Sequence, residues 1–273
     1  MAIKTLSFRG TDIFYRVTGE GPDVVLLHGF AEDSSVWKFQ EAFLESHFRL
    51  ILPDLPGSGR SSFLPMDGIS PADLTGVYAD IIKEIIEKEA VGHCVFLGHS
   101  MGGYIALAFA AKYEGLLAGL GLVHSTAYAD SAEKKEARSK GIAFIQKHGV
   151  HAFLEQSIPN LFGSTFKAGQ PEAVQELIDK AGNFSVAALV QYYEAMRERP
   201  ENITILKNIK KPVLFVIGEE DKSVSLSDSL SQCYLPVLSL INILPRVAHM
   251  GMWEMKDRTN ATIIEFLNYC FDD

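Results

Sequence analysis

Apolar residues occur in short continuous runs along most of this chain, and stretches of helical spacing separate the runs. Asp23–Leu27 and Phe48–Leu52 are almost wholly apolar, which is typical of strands buried on both faces of a sheet. Helical spacing follows at Trp37–Ser46 and again up to Lys88, where Ser70 offers a cap and a proline comes next. This alternation predicts an α/β fold, with a mostly parallel sheet and helices on both faces.

About eight strands are predicted in this way, and the first two form a hairpin through Arg9-Gly10-Thr11. The predicted strands are Lys4–Phe8, Asp12–Val17, Asp23–Leu27, Phe48–Leu52, Cys94–Leu97, Leu117–Val123, Pro212–Ile217 and Leu238–Leu244. After the helix at Trp37–Ser46, the predicted helices outside the middle of the chain are Ser70–Lys88, Tyr104–Lys112, Ser225–Cys233 and Met255–Cys270.

The alternation stops between Tyr128 and about Asn202, where no strand is predicted. Three or four helices are expected there instead, and they start near Ser131, His151, Pro171 and Ser185. A helical insertion between two strands of one sheet suggests a lid over the strand ends. We therefore expect a core of residues 1–126 and 206–273 and a lid of residues 127–205. A separately folded domain is the alternative, although so short a segment buries little by itself.

Composition narrows the classes of partner. The chain has 273 residues, is 47% apolar and carries a formal net charge of −9 without a basic patch, which disfavours nucleic acid and anionic membranes. Its three cysteines are far apart and show neither metal-ligand spacing nor a disulfide framework. The N-terminal residues carry no long apolar segment, and the sequence has no apolar run of 18 residues. We expect a cytoplasmic protein, monomeric or homodimeric, without metal or cofactor.

The candidate chemistry lies at Gly98-His99-Ser100-Met101-Gly102, a Gly-x-Ser-x-Gly motif. A predicted strand precedes it and a small-residue helical run, Tyr104–Lys112, follows. The same spacing also arises by chance, but strand, tight turn and helix is the context in which the motif presents a nucleophile. The turn predicts a strained backbone at Ser100, with the hydroxyl raised above the sheet edge.

These residues resemble those of the α/β-hydrolase fold superfamily, in particular its serine esterases and lipases with a helical lid. The resemblance covers Ile3–Ser125 and Pro212–Phe271 and includes two further motifs. His28-Gly29-Phe30-Ala31 is similar to the family's HG motif, and Asp54–Ser61 is similar to its D-x-x-G-x-G-x-S stretch. The latter does not have the spacing of a phosphate-binding loop, so we interpret it as a structural turn near Ser100.

Ser100 requires a base and an acid. His249 follows the last predicted strand, and ligand sites of such sheets lie beyond the carboxyl ends of the strands. The resemblance implies the chain order serine, acid, histidine, with His249 as the base. The family's Gly-x-x-Asp pattern selects Asp221 as the acid within Gly218-Glu219-Glu220-Asp221, with Glu220 as its rival.

The resemblance also implies an oxyanion hole formed by the backbone N–H groups of Met101 and Phe30. His28 is expected to brace its loop, and His99 to support the turn from the core. Glu254 is a weaker candidate for modulating His249. The side chains expected to contact substrate are those of Phe30, His99, Phe153, Phe162 and Tyr192.

The leading hypothesis is a serine hydrolase that cleaves a small to medium carboxylic ester through a Ser-His-Asp triad and an acyl-enzyme. Its partner is then a small-molecule ester. The same residues suit a carbon–carbon bond hydrolase, a lactonase, an acyltransferase or a cofactor-free perhydrolase. A ligand receptor that retains the triad is the rival from another class, and multiple turnovers on a short p-nitrophenyl ester distinguish the enzyme from the receptor.

Overall fold

The computed structural model describes residues 1–272, in which eight strands form one sheet in the order β1-β2-β4-β3-β5-β6-β7-β8. The strands are β1 (Ala2–Phe8), β2 (Thr11–Thr18), β3 (Asp23–Leu27), β4 (Arg49–Pro53), β5 (Cys94–His99), β6 (Leu117–Val123), β7 (Val213–Gly218) and β8 (Ser239–Leu244). The pairs β1·β2 and β2·β4 are antiparallel and the other neighbours are parallel. The predicted sheet, including its N-terminal hairpin, is confirmed.

Helices cover the sheet, and twelve α-helices lie within residues 1–272. They are α1 (Lys38–Leu44), α2 (Leu74–Lys88), α3 (Met101–Tyr113), α4 (Ala132–His148), α5 (Val150–Ser157), α6 (Ser164–Gly169), α7 (Pro171–Ala181), α8 (Val186–Glu198), α9 (Ile203–Asn208), α10 (Leu226–Leu230), α11 (Gly251–Glu254) and α12 (Lys256–Phe271). Short 3₁₀ turns occupy Ser34–Trp37, Pro71–Asp73, Glu114–Leu116 and Ile158–Leu161.

The bounds of several predicted helices shift by a few residues in the structure, as two of them illustrate. The first begins at Lys38, because the Asp33 carboxylate caps a 3₁₀ turn at Ser34–Trp37 before it. The helix predicted at Ser225–Cys233 is reduced to α10, although Ser225 caps it as its position suggests. Among the residues described, none of the helices is long and apolar enough to cross a membrane.

The segment between β6 and β7 is helical, as predicted, and contains α4–α8 before α9 leads back to the sheet. We call α4–α8 and their connecting turns the helical insertion. Its buried apolar side chains belong to one cluster with those of the sheet. Gln191 of α8 joins it to the rest of the molecule, because its amide donates to the Leu64 carbonyl at 2.8 Å and accepts from the Tyr78 hydroxyl at 3.0 Å.

Candidate active site

Ser100 lies in the turn between β5 and α3, and its backbone has φ 50° and ψ −114°. Non-glycine residues rarely adopt this conformation, and such strain is concentrated at functional sites. Tight packing requires both flanking glycines, because a Cβ at Gly98 would lie 2.5 Å from Gly102 and one at Gly102 would lie 2.4 Å from the Leu27 carbonyl oxygen. The strained turn predicted from the motif is confirmed.

The base and the acid predicted from the sequence meet in the structure. His249 Nδ1 lies 2.8 Å from Asp221 Oδ2, and the other carboxylate oxygen accepts the backbone N–H groups of Ser223 at 2.8 Å and Val224 at 3.0 Å. Burial alone raises the pKa of Asp221, but the neighbouring imidazoles, His249 first, bring that pKa well below its usual range. The ionised Asp221 therefore accepts a hydrogen bond from His249 Nδ1–H, which keeps that proton on Nδ1 and leaves Nε2 free to accept another.

The neighbouring acids do not reach the imidazole. Glu220 is exposed and borders a separate surface depression, whereas Glu219 accepts the Arg246 N–H at 2.9 Å. Asp221 is the acid of this turn that contacts His249.

Ser100 and His249 open onto the same cavity, whose volume is about 120 Å³. Phe30 and His99 also line it. Depressions of about 470 and 640 Å³ lie elsewhere on the surface, but no histidine lines either of them within the part of the chain described. Chemistry rather than size therefore makes the Ser100 cavity the candidate active site.

The two backbone groups predicted to form the oxyanion hole belong to the residue after Ser100 and to the loop packed against the Ser100 turn. Met101 is the first residue of α3, where backbone N–H groups have no partner within the helix. Phe30 follows β3 in the loop packed against the turn, since a Cβ at Gly29 would lie 3.2 Å from Ser100 Cβ. Within residues 1–272, neither N–H donates to a protein acceptor in a turn, loop or side-chain hydrogen bond.

Three of the residues predicted to contact substrate do not line the cavity. Phe153 and Tyr192 lie behind Phe30, with ring centroids 6.2 and 6.5 Å from its own, because both are packed in the interior of the helical insertion. Phe162 stacks on Phe166 at 5.3 Å and borders the depression that contains Glu220. The structure thus places only Phe30 and His99 of the five on the cavity wall.

The other residues on the wall were not singled out from the sequence as substrate contacts. They are Glu32, Tyr104, Arg138, Leu161, Tyr193, Met196 and Ser223. Leu161, Tyr193 and Met196 belong to the apolar pattern of the insertion, which alone does not show which members face the cavity. Glu32 and Arg138 carry no local signal, because their positions depend on contacts distant in sequence.

His99 and Glu32 form a buried pair on the wall of the cavity. His99 Nδ1 lies 3.0 Å from Glu32 Oε2, and its Nε2 donates to the His249 carbonyl at 3.0 Å. Burial is the largest single influence and lowers the pKa of His99, but Glu32, the His249 carbonyl and Asp221 together raise it more, so the net shift is upward. Burial raises the pKa of Glu32, but His99 and the Gly29 N–H reverse this, and the net shift is downward. The contacts thus favour an imidazolium–carboxylate pair that supports the turn, as expected of His99.

A third histidine supports the acid. His124 Nε2 accepts the Gly251 N–H at 3.1 Å, so its proton is on Nδ1, which faces Asp221 Oδ2 at 3.3 Å. Burial lowers the pKa of His124 to about 4, which makes the ring neutral at pH 7. Among the described residues, His124, Asp221 and His249 are the one group whose ligand atoms, within 4.8 Å of one another, could hold a metal. Here Asp221 Oδ2 forms a hydrogen bond with His249 Nδ1 and lies close to His124 Nδ1.

Two further groups fix the loops as the sequence suggested. His28 Nδ1 donates to the Gly29 carbonyl at 2.9 Å, and Nε2 accepts the Leu55 N–H at 2.9 Å, which confirms its bracing role. Asp54 accepts the N–H groups of Ser34 and Arg60, both at 3.0 Å, so the Asp54–Ser61 stretch is a structural turn.

Glu254 holds the loop that carries His249. Its carboxylate accepts the N–H groups of Ala248 at 3.1 Å and Met250 at 3.2 Å, the residues on either side of His249. It also accepts the Gly163 N–H of the insertion at 2.8 Å. Glu254 therefore positions His249 through the backbone and does not contact the imidazole.

Comparison with known proteins agrees with this geometry. A sequence model of the Alpha/beta hydrolase family matches residues 24–262. The chain is 27% identical to a 2-hydroxy-6-oxononadienedioate/2-hydroxy-6-oxononatrienedioate hydrolase of Paraburkholderia phymatum, over 93% of this chain and 90% of that protein. It is 28% identical to a pimeloyl-[acyl-carrier protein] methyl ester esterase of Nitrosospira multiformis, over 93% and 97% of the two chains.

Among solved structures, a thermophilic esterase from Thermogutta terrifontis with malate bound superimposes with a TM-score of 0.91 at 28% identity, and the match covers 99% of each chain. The family model spans most of the sequence, and the sheet, the strained serine turn and the aspartate–histidine contact are those that the resemblance implied. The chain therefore belongs to the Alpha/beta hydrolase family.

Proposed function

We propose that this protein is a serine hydrolase that cleaves a short carboxylic ester through an acyl-enzyme. One observation carries the proposal: the strained Ser100 turn and an Asp221-held His249 open onto one cavity. An esterase among the solved structures and a methyl ester esterase among the relatives support it.

In the proposed reaction, Ser100 Oγ attacks the ester carbonyl while His249 Nε2 takes its proton. The N–H groups of Met101 and Phe30 stabilise the oxyanion, and His249 returns the proton to the leaving alcohol. Water then attacks the acyl-enzyme, again with His249 as the base, which releases the acid and restores Ser100. The ionised Asp221 stabilises the imidazolium formed in each half-reaction.

The size of the cavity favours a small substrate. A volume of about 120 Å³ is well below the roughly 300–1,000 Å³ of sites for drug-sized ligands. We propose that the helical insertion is the lid that sets this size, because four of its residues, Arg138, Leu161, Tyr193 and Met196, line the cavity.

Carbon–carbon cleavage is the second candidate, favoured by the relative from Paraburkholderia phymatum, whose substrate name contains a 6-oxo group in place of an ester. Comparing the turnover of a short methyl ester with that of a vinylogous diketone separates the two activities.

The test is turnover of p-nitrophenyl acetate together with labelling by a fluorophosphonate probe. Ser100→Ala should abolish both because it removes the nucleophile, whereas Ser46→Ala, at an exposed serine, should leave both unchanged. Labelling of the Ser100→Ala protein at the wild-type rate would falsify the assignment. A single acylation without turnover in the wild type favours the receptor instead.

A further inference from the structure

One positively charged side chain faces the Ser100 cavity with part of its hydrogen-bonding capacity unused. Arg138 of α4 lines the cavity, and 19% of its side chain remains exposed. Its Nε and Nη2 donate to the Asp130 carboxylate, the latter at 3.3 Å. Within residues 1–272, Arg138 Nη1 has no hydrogen-bond partner. A guanidinium presents its donors in a fixed planar fork, so the free edge can bind another planar acceptor.

The charges around Arg138 do not balance. Asp130 is shared with Arg199, whose Nη1 lies 2.8 Å from Asp130 Oδ1 and whose side chain is only 3% exposed. Two guanidinium groups therefore face one carboxylate, which leaves one excess positive charge. The other acid on the cavity wall, Glu32, is already paired with His99. Burying unbalanced charge is unfavourable, and an anion placed against Arg138 would compensate it.

Aromatic rings fix both guanidinium groups. Arg138 lies over the ring of Tyr193, 5.6 Å from its centroid, and Tyr193 stacks on Phe30 at 4.3 Å. Arg199 lies 3.9 Å above the centroid of Tyr104, another residue of the cavity wall. Because stacked guanidinium groups lose little freedom on binding, they make effective sites for carboxylates. The ring of Phe30 thus connects Arg138 with the predicted oxyanion loop.

We propose that Arg138 forms an anion subsite of the Ser100 cavity and that the preferred substrate is a short ester which also carries a carboxylate, such as a half-ester of a dicarboxylic acid. The inference rests on the proposed function and adds the substrate class to it. The carboxylate binds the free edge of Arg138 and completes a cluster of two guanidinium and two carboxylate groups. The ester carbonyl then lies in the same small cavity, next to Ser100.

A matched pair of substrates isolates the effect of the substrate's negative charge. Monomethyl succinate and methyl succinamate have nearly the same size, but only the first is an anion at pH 7.5. Since a hydrogen bond to a charged group contributes more than a neutral one, kcat/KM of the wild type should favour monomethyl succinate by about ten- to a hundred-fold. Methanol release measures both reactions.

Variants at Arg138 test whether this residue causes the preference for the anionic ester. Arg138→Gln should lower kcat/KM for monomethyl succinate by about the same factor and change that for methyl succinamate by less than about three-fold. The variant leaves Arg199 and Asp130 as a balanced pair, so it should fold. Arg138→Lys should retain part of the preference, because it keeps the charge but loses the fork. Arg197→Gln is the control, since Arg197 lies on α8 of the same insertion and pairs with Glu198 away from the cavity.

A binding measurement tests the subsite without turnover. Succinate should raise the melting temperature of the wild type, succinamide should not, and the rise should disappear in Arg138→Gln. Equal kcat/KM for the two esters, or an equal loss for both in Arg138→Gln, overturns the subsite. Where Arg138→Gln does not fold, the wild-type ratio and the Arg138→Lys variant decide. If no ester is cleaved, the proposed function fails, and the effect of succinate on melting still shows whether the subsite binds an anion.

Discussion

At the scale of single residues, the best-supported assignment is Asp221, which is held from several sides. One oxygen faces His249 Nδ1, and the other accepts the N–H groups of Ser223 and Val224. His124 Nδ1 faces the same carboxylate from 3.3 Å. These donors favour the ionised carboxylate, which in turn fixes the tautomer of His249 that can act as a base.

Asp221→Asn should therefore lower kcat on the order of 10⁴-fold with little loss of stability. Its amide oxygen would keep the bonds to Ser223 and Val224, so its NH₂ group would face His249 and force the wrong tautomer. Steady-state turnover of p-nitrophenyl acetate measures the effect. Glu220→Gln, at an exposed acid of the same turn, is the matched control and should change kcat by less than about three-fold. If the two phenotypes were reversed, Glu220 would be the acid.

The His99–Glu32 pair links stability to pH. The pKa of His99 is higher in the folded protein than its ordinary value of 6.5, so protonated His99 stabilises the folded state. This stabilisation is complete below pH 6.5 and is lost as the pH rises through the folded-state pKa. The folded-state pKa of Glu32 is lowered, so its contribution is full above the ordinary value of 4.5 and is lost as pH falls through the folded pKa. The pair is therefore most stabilising between about pH 4.5 and 6.5.

Glu32→Gln should lower the free energy of unfolding by about 1–3 kcal/mol at pH 5.5, and by less at pH 8.5. Urea unfolding of both proteins at both pH values measures the difference. Glu265→Gln, at an exposed position of α12, provides the control for a change of charge alone. A deficit that is the same at both pH values would show that the pair is not ionised in the folded protein.

The sequence predicts some of these residues and not others for a physical reason. Ser100 is recognisable because a sharp turn requires glycines within two positions of it, so the requirement lies in the local sequence. Asp221 and His249 follow strand ends, and the sheet brings strand ends together. Glu32 acts on His99, 67 positions away, and Arg138 depends on how α4 packs over the sheet. No local pattern encodes such contacts.

At the scale of elements, the helical insertion is attached through neighbouring ends. The Asn202 N–H donates to the Ala127 carbonyl at 2.8 Å, so the chain leaves and re-enters the core at one place. Between these ends, the His249 N–H donates to the Leu161 carbonyl at 2.8 Å, which joins the insertion to the loop that carries His249. The insertion can therefore shape the site, and the order and pairing of the strands do not depend on it.

Replacing residues 130–200 by a short Gly/Ser linker should leave a folded core, because Ala127 and Asn202 already lie side by side. Solubility should fall, since Phe30 and Tyr78 lose their cover. Fluorophosphonate labelling of Ser100 should persist, while selectivity for acyl length should be lost. The ratio of kcat/KM for p-nitrophenyl acetate and hexanoate, before and after excision, measures this. An unchanged ratio in a folded protein would mean that the core loops alone define the pocket.

Elements differ in how far the sequence predicts them. Strands β3, β4 and β5 are wholly or almost wholly buried, so their apolar runs are continuous and visible. The helices α6 and α11 have six and four residues, too few for a helical period to show, and the sequence did not predict them. Predicted boundaries fail where a polar side chain such as Asp33 starts a turn before the helix.

At the scale of the whole molecule, the charge of the chain and the charge at the cavity have opposite signs. The net charge of −9 repels an approaching carboxylate, and salt screens this repulsion over about 8 Å at physiological ionic strength. Arg138 acts at closer range, inside the cavity, where screening is weaker. Attraction at the site is therefore local, and the molecular surface contributes little to the capture of an anion.

The strained backbone of Ser100 also affects the stability of the folded protein. A non-glycine residue at positive φ costs about 1–3 kcal/mol, a substantial part of the roughly 5–15 kcal/mol that keeps a domain folded. That cost is present whether or not a substrate is bound. A variant in which residue 100 relaxes to an ordinary conformation should therefore be more stable and, under the proposed function, lose the nucleophile.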